Sequence, residues 1–233
     1  MRAALLVACA AVLLLAVLWD GPEPRRPPGV LVPYEPDQDP TPLRQWPFKD
    51  SQVTALASFR VRARVLLTGH YWWGNQAAVS PVDLTLGWRL MSNQEVLDGL
   101  HLYRMRRAYA WAPRNGRLPA GGTEIGAHSA NMHMVPSTAE LAGRLRAINR
   151  GDLVDIRGYL VEIKFPNGGT WRSSVTRTDS GNGACELVWV EELTKYTVSQ
   201  ARSRISRNRS LTVAAPIRAA RVSKRFPDTL VDF

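Results

Sequence analysis

The chain has 233 residues, is 45% apolar and 21% charged, and carries a formal net charge of +10. Its two cysteines, Cys9 and Cys185, exclude a disulfide scaffold, because Cys9 lies inside an apolar run and leaves Cys185 alone in the body. No segment recurs at a solenoid period, so a repeat architecture is excluded as well.

The charge is unevenly spread. Residues 1–43 hold three basic and five acidic side chains, residues 44–194 hold 18 and 13, and residues 195–233 hold nine and two. A basic end of this kind is drawn to anionic surfaces such as phospholipid headgroups, nucleic acid or acidic polymers.

From Ala3 to Trp19 the chain runs 17 residues without a charge. As a helix this is roughly 25 Å, the short end of what spans a bilayer. A cleaved signal peptide needs a small-residue site just after the apolar region. Here the run ends Leu18-Trp19-Asp20-Gly21-Pro22, with Trp19 where an interfacial aromatic would sit. Residues 1–20 are therefore read as an uncleaved anchor. A cleaved signal, or lipidation at the lipobox-like Leu6-Val7-Ala8-Cys9, is the alternative. Arg2 precedes the run and Arg25 and Arg26 follow it, so the positive-inside rule gives no clear orientation. The signal-like start favours an inner-membrane, single-pass protein with a periplasmic C-terminal domain.

Nine prolines fall between Gly21 and Pro47. Proline fixes φ and lacks the amide donor, so this stretch is expected to be an extended, semi-rigid spacer, residues 21–47. The body, residues 48–194, is long enough for one domain with a core. In Phe59–Leu67 the odd positions are apolar while Arg60, Arg62 and Arg64 share the other face. Strict period two means a half-buried strand, whose arginines are either an anion site or a solvated face paired with acids on neighbouring strands. Tyr71-Trp72-Trp73 follows, and three adjacent aromatics cannot all enter one core, so Trp72 and Trp73 are candidate binding residues.

Ser80-Pro81-Val82-Asp83 reads as a helix start continuing to about Leu90, with a further short turn over Gln94–Asp98. His101–Trp111 reads as one strand, and Pro113–Gly126 as a long loop. If residues 129–135 are extended, Asn131, His133 and Val135 share a face. Ser137-Thr138-Ala139-Glu140 is a capping box for an amphipathic helix over Thr138–Ile148. Leu153–Phe165, Thr170–Thr176 and Ala184–Glu192 then form a three-stranded meander, its first turn signalled by Asn167-Gly168. The expected fold is α+β: a small, strongly bent antiparallel sheet or partial barrel with two or three helices, preceded by the transmembrane helix. Gly151–Gly158 resembles the first strand of OB-like or SH3-like barrels. Residues 195–233 are read as a basic tail, with Arg202, Arg204, Arg207 and Arg209 as an anionic-lipid contact.

Two constellations are candidates for chemistry. His133, near Asn131, is the better-placed imidazole, either a base or a buried polar pair organising the loop. Ser173-Ser174 through Arg177, Asp179 and Gly181 to Cys185-Glu186 spans two strands and their turn. Cys185 with His133 and Arg177 has the ingredients of a Cys–His acyl-transfer or peptide-cleaving centre. It resembles sortases in outline, but here Arg177 precedes the cysteine and Gly181-Asn182-Gly183-Ala184 stands before it. Asp179 is expected to make an Asx-type turn contact to Gly181. His70, His101, His128 and His133 lack zinc spacing, and Asp179, Asn182 and Glu186 lack the calcium-loop pattern. No metal or cofactor is expected.

Ser129–His133, the helix Thr138–Ile148, the strand Gly151–Gly158 and the turn Ser173–Glu186 together resemble single-pass envelope proteins of proteobacteria. The resemblance implies location and architecture, and carries no established activity or catalytic residues. The expected function is a membrane-tethered periplasmic binding or scaffold domain engaging a protein or an anionic envelope partner. The alternatives are the Cys–His enzyme and a nucleic-acid-binding barrel at the membrane; nucleic acid is not the expected partner of an exported domain.

Overall fold

The structure, a computed structural model, describes residues 25–176 and 185–213. The first strands are β1 (Asp37–Pro40), β2 (Gln45–Phe48) and β3 (Ser51–His70), followed by the short helix α1 (Asn75–Val79) and β4 (Val82–Gly87). A 3-10 turn (Arg89–Ser92), α2 (Gln94–Asp98), β5 (Leu100–Met105), β6 (Ala108–Pro113) and α3 (Gly122–Ala127) come next. The chain continues through β7 (Ser129–Pro136), α4 (Ala139–Arg146), β8 (Leu153–Lys164), β9 (Thr170–Arg172), β10 (Glu186–Tyr196) and α5 (Val198–Val213). The fold is mixed α+β and strongly sheet-rich.

Five strands close on themselves. β3 pairs with β4, β4 with β7, β7 with β10, β10 with β8, and β8 returns to β3. Every pair is antiparallel except β7–β10, which is parallel. The sheet is therefore mixed, where antiparallel pairing was expected. α4 carries the chain from β7 to β8, which takes its place beside β3, and β10 fills the remaining gap running alongside β7. The expected meander is corrected for the same reason. β9 and β10 both lie along β8, β9 against Glu162–Lys164 and β10 against Leu153–Leu160.

The long β3 bends around this ring through two bulges, at Ala55/Ala57 and Val65/Leu67. The first shifts the phase of its alternation. Val53 packs in a cluster with Val161, Ile163 and Trp189, while Ala57, Phe59, Val61, Ala63 and Val65 enter the main core with Leu84, Met132, Ile156 and Val188. Where β8 crosses β10, Gly158 pairs with Val190 so closely that a Cβ there would meet Trp189 O at 1.8 Å.

Several sequence expectations change. Residues 82–87 are a strand, because Val82, Leu84 and Leu86 alternate into the core with Asp83 and Thr85 facing outward. Ser80 ends α1 and starts nothing. The stretch 101–111 is a hairpin, not one strand: β5 and β6 pair across a two-residue turn with Arg106 at φ 56°. That turn contains neither Gly nor Asn, the residues that ordinarily announce it. The described residues hold five α-helices rather than two or three; α1, α2 and α3 have five or six residues, too few to show a helical period. The expected helix at 138–148 is present as α4, capped by Thr138, whose Oγ1 accepts from Leu141 N at 3.1 Å; Ser137 is not the cap.

The described part of the proline-rich stretch, expected to be a spacer, packs on the body. Leu31 and Val32 are buried, and β1 and β2 both pair with β3. Pro40 and Pro47 are tolerated there because both strands lie at the sheet's edge. Among the described residues no helix is long and apolar enough to cross a membrane, and the anchor read at residues 1–20 lies outside them.

Candidate functional site

The outward faces of β4 and β7 carry Asp83, Thr85, Asn131 and His133, and Asp83 stands directly opposite His133 in register. The β5–β6 hairpin covers this face. From its turn, Arg107 donates from Nη1 to Asp83 Oδ1 at 2.9 Å and from Nη2 to Ser80 O at 2.7 Å. His133 Nδ1 lies 2.9 Å from the same Asp83 oxygen. Asn131 Nδ2 donates to Arg107 O at 2.8 Å, and Thr85 Oγ1 donates to Asn131 Oδ1 at 3.2 Å. The hairpin, the strand pair and the Ser80 loop are thus tied together through Arg107.

Aromatic rings seal the cluster. The guanidinium of Arg107 lies 3.9 Å from the Tyr71 ring centroid and 5.2 Å from that of Trp171, and Trp171 packs against His133 at 4.8 Å. The Tyr71 hydroxyl donates to Arg106 O at 2.8 Å. Burial, and then the Asp83 charge, push the Tyr71 phenol up to about 12. The His133 side chain keeps 6% of its surface and Asp83 2%. The imidazole is therefore closed off, held between a carboxylate and an indole.

Cys185 is half-buried, and its Sγ lies 3.9 Å from Arg107 O. Because Leu187 opposes His133 in the parallel pair, Cys185 falls one alternation away on the same outward face of the sheet. Arg177, Asp179 and Gly181 lie outside the described residues.

The arginine row of β3 forms no shared anion site. Arg60 grips Asp155 with two hydrogen bonds of 2.9 and 2.7 Å. Arg62 pairs with Asp37 at 3.2 Å and stacks on Tyr34 at 4.1 Å. Arg64 is wholly buried and donates to Gln94 Oε1 at 2.6 Å. Burial would raise the Asp155 carboxyl, but the Arg60 hydrogen bond and charge outweigh it and hold it below the usual carboxylate range. Arg204 of α5 also faces Asp155 at 3.5 Å and stacks on Tyr196 at 4.8 Å, which seats the C-terminal helix on the barrel.

The residues open to a partner lie next to the buried cluster. Trp72 and Trp73 are 66% and 92% exposed on the β3–β4 connection. Beside them a groove of about 450 Å³ runs between that connection, the β2–β3 turn and the first turns of α4. Lys49, Trp72, Ser137, Thr138 and Arg146 line it, and none of its lining residues is Asp or Glu. Arg146 lies 5.2 Å from the Trp72 ring centroid, and Lys49 donates to Ala78 O. Sequence reasoning reached Trp72 and Trp73 but missed Lys49 and Arg146, which come from the β2–β3 turn and the end of α4. It also missed Asp83 and Arg107. For Asp83 a signal existed, the period-two alternation of residues 82–86, which the helix-start pattern at Ser80-Pro81 masked.

No protein-family model, curated protein or solved structure matches the chain.

Proposed function

We propose that the protein is a non-enzymatic binding domain, tethered to the inner membrane by residues 1–20 and facing the periplasm, where it engages a protein or anionic partner of the envelope. The observation that carries this reading is the exposed Trp72-Trp73 pair beside an acid-free groove bearing Lys49 and Arg146. Exposed tryptophans and an arginine at a concave surface are the usual anchors of recognition. The topology supports the same reading. Taken in chain order, the ring strands β3, β4, β7, β8 and β10 lie in the spatial order first-second-third-fifth-fourth, with α4 between the third and fourth. This arrangement resembles the OB-fold, a scaffold that binds oligonucleotides and oligosaccharides and whose loop between the first and second strands, here the connection carrying Trp72 and Trp73, is one of its binding parts. Fold alone does not assign the ligand.

Of the basic tail, Arg204 is committed to Asp155 and Tyr196, so contact with anionic lipid falls to the exposed Arg202 and residues beyond it; the side chains of Arg207 and Arg209 are outside the described residues. The Cys–His enzyme is the second reading, favoured by the shared face of Cys185 and His133. The burial of His133 under Trp171 counts against it. The nucleic-acid reading is opposed by the hairpin roof over β4 and β7, the face such barrels use.

The test is binding of the full chain, in detergent, to washed cell-envelope fragments. A Trp72→Ala/Trp73→Ala variant should lose roughly tenfold or more in affinity, and Cys185→Ser should bind as the parent does. Undiminished binding by the double variant, or loss of binding in Cys185→Ser at unchanged thermal stability, would overturn the proposal.

A further inference from the structure

Building on the binding-domain reading, we infer that the groove between the β2–β3 turn, the β3–β4 connection and α4 takes an acidic sugar chain. One pyranose ring stacks on Trp72, and its carboxylate lies between Lys49 and Arg146.

The lining has the parts such a ligand needs. Trp72 is 66% exposed with Arg146 over its ring, and a pyranose stacks on an indole face left open through its axial C–H groups. Arg146, 5.2 Å from that ring, and Lys49, also in the lining, put two cations at the groove. A guanidinium matches a carboxylate in fork geometry. Ser137 and Thr138 add hydroxyls at the wall, suited to the hydroxyls of a sugar. No Asp or Glu lines the groove, so Lys49, which donates to Ala78 O, and Arg146, which lies over the Trp72 ring, meet no carboxylate among the lining residues. The first turn of α4 does not supply the anion site, because Thr138 already caps it through Leu141 N.

Charge spacing separates this ligand from single-stranded nucleic acid. A nucleic acid carries one phosphate per nucleotide and is tracked by a row of cations. The row that would serve, Arg60, Arg62 and Arg64, is occupied by Asp155, Asp37 and Gln94. What remains at the groove is two cations about one indole, a pattern that fits a ring polymer with its charge on the ring. The volume of about 450 Å³ lies in the range of small-ligand sites, so it holds a short stretch of chain rather than a single ion.

The experiment uses the full chain in detergent with three probes: a galacturonate hexamer, the neutral maltohexaose, and a fifteen-residue oligothymidylate, each followed by quenching of tryptophan fluorescence and by calorimetry. The galacturonate hexamer should bind, weaken as salt rises, and exceed maltohexaose by about tenfold or more. Trp72→Ala and Arg146→Glu should each lower its affinity by about tenfold, and Arg146→Lys should restore part of the loss. No binding of the hexamer, equal binding of maltohexaose, tighter binding of oligothymidylate, or indifference to both variants would overturn the inference. If the hexamer fails while envelope fragments still bind through Trp72 and Trp73, the sugar assignment falls and the binding-domain reading stands. If both fail, both fall.

Discussion

Two neighbouring regions of this molecule use the same kinds of side chain for opposite ends. Over β4 and β7, an aspartate, an arginine, a histidine and two aromatics are packed so that each charge faces another and water is excluded. A few residues away, a lysine, an arginine and two tryptophans stand open, with no acid among the groove's lining residues. The first arrangement fixes the position of a hairpin. The second leaves interaction capacity unspent. Residue types that suggest catalysis in a sequence are thus consumed by architecture here, and the partner-facing chemistry sits where the sequence shows only an aromatic run and two scattered cations.

The sharpest way to break this contrast is to remove the guanidinium from the buried cluster. Arg107→Leu strips Asp83 of its donor at a site where the carboxylate is 2% exposed, and should destabilise the fold by about 3–5 kcal/mol. By thermal melting that is a drop of roughly 6–20 °C. An unchanged melting temperature would mean that the cluster does not hold the hairpin. Gly158→Ala serves as the purely architectural reference. A Cβ placed 1.8 Å from Trp189 O forces the β8–β10 seam apart and should cost about 3 kcal/mol. If the cluster is architecture, the two variants behave alike: lower melting temperature, and undiminished binding by the fraction that remains folded.

A smaller effect comes from the paired arginine row. Asp155 has a lowered folded pKa, so its contribution to stability is complete above the unfolded value of about 4 and is lost as pH falls through the folded one. Asp155→Asn should therefore melt lower than the parent at pH 7, with the gap closing in strong acid. A gap that stays constant from pH 7 to pH 2 would show that Arg60 and Asp155 are not coupled as their geometry implies.

Much of the frame was legible because it rests on local pattern. The alternation of Phe59–Leu67, the extended Asn131–His133 stretch, the helix after Thr138 and the Asn167-Gly168 turn all appear where the residues point to them. What was not legible depends on long-range closure or on unsignalled turns. Arg106 takes a positive φ without being Gly or Asn, which hid the hairpin, and with the hairpin went Arg107 and the identity of the buried cluster. Ser80-Pro81 imitates a helix start because its sequence satisfies the capping rule, and only burial of Val82, Leu84 and Leu86 decides for a strand. Of the groove only Trp72 stood out in the sequence as a binding residue. Its two cations lie 97 positions apart, at Lys49 and Arg146, and meet only through the closure of the barrel.

The central claim is that recognition resides in the exposed region and stability in the buried one. The most direct test measures melting temperature and envelope-fragment affinity on the same two variants, Trp72→Ala/Trp73→Ala and Arg107→Leu. The expected result is a crossover. The tryptophan variant should keep its stability within about 0.5 kcal/mol, as surface substitutions do, and lose affinity, while the arginine variant loses stability and, where folded, keeps affinity. A tryptophan variant that binds undiminished, or a folded Arg107→Leu that no longer binds, would contradict it.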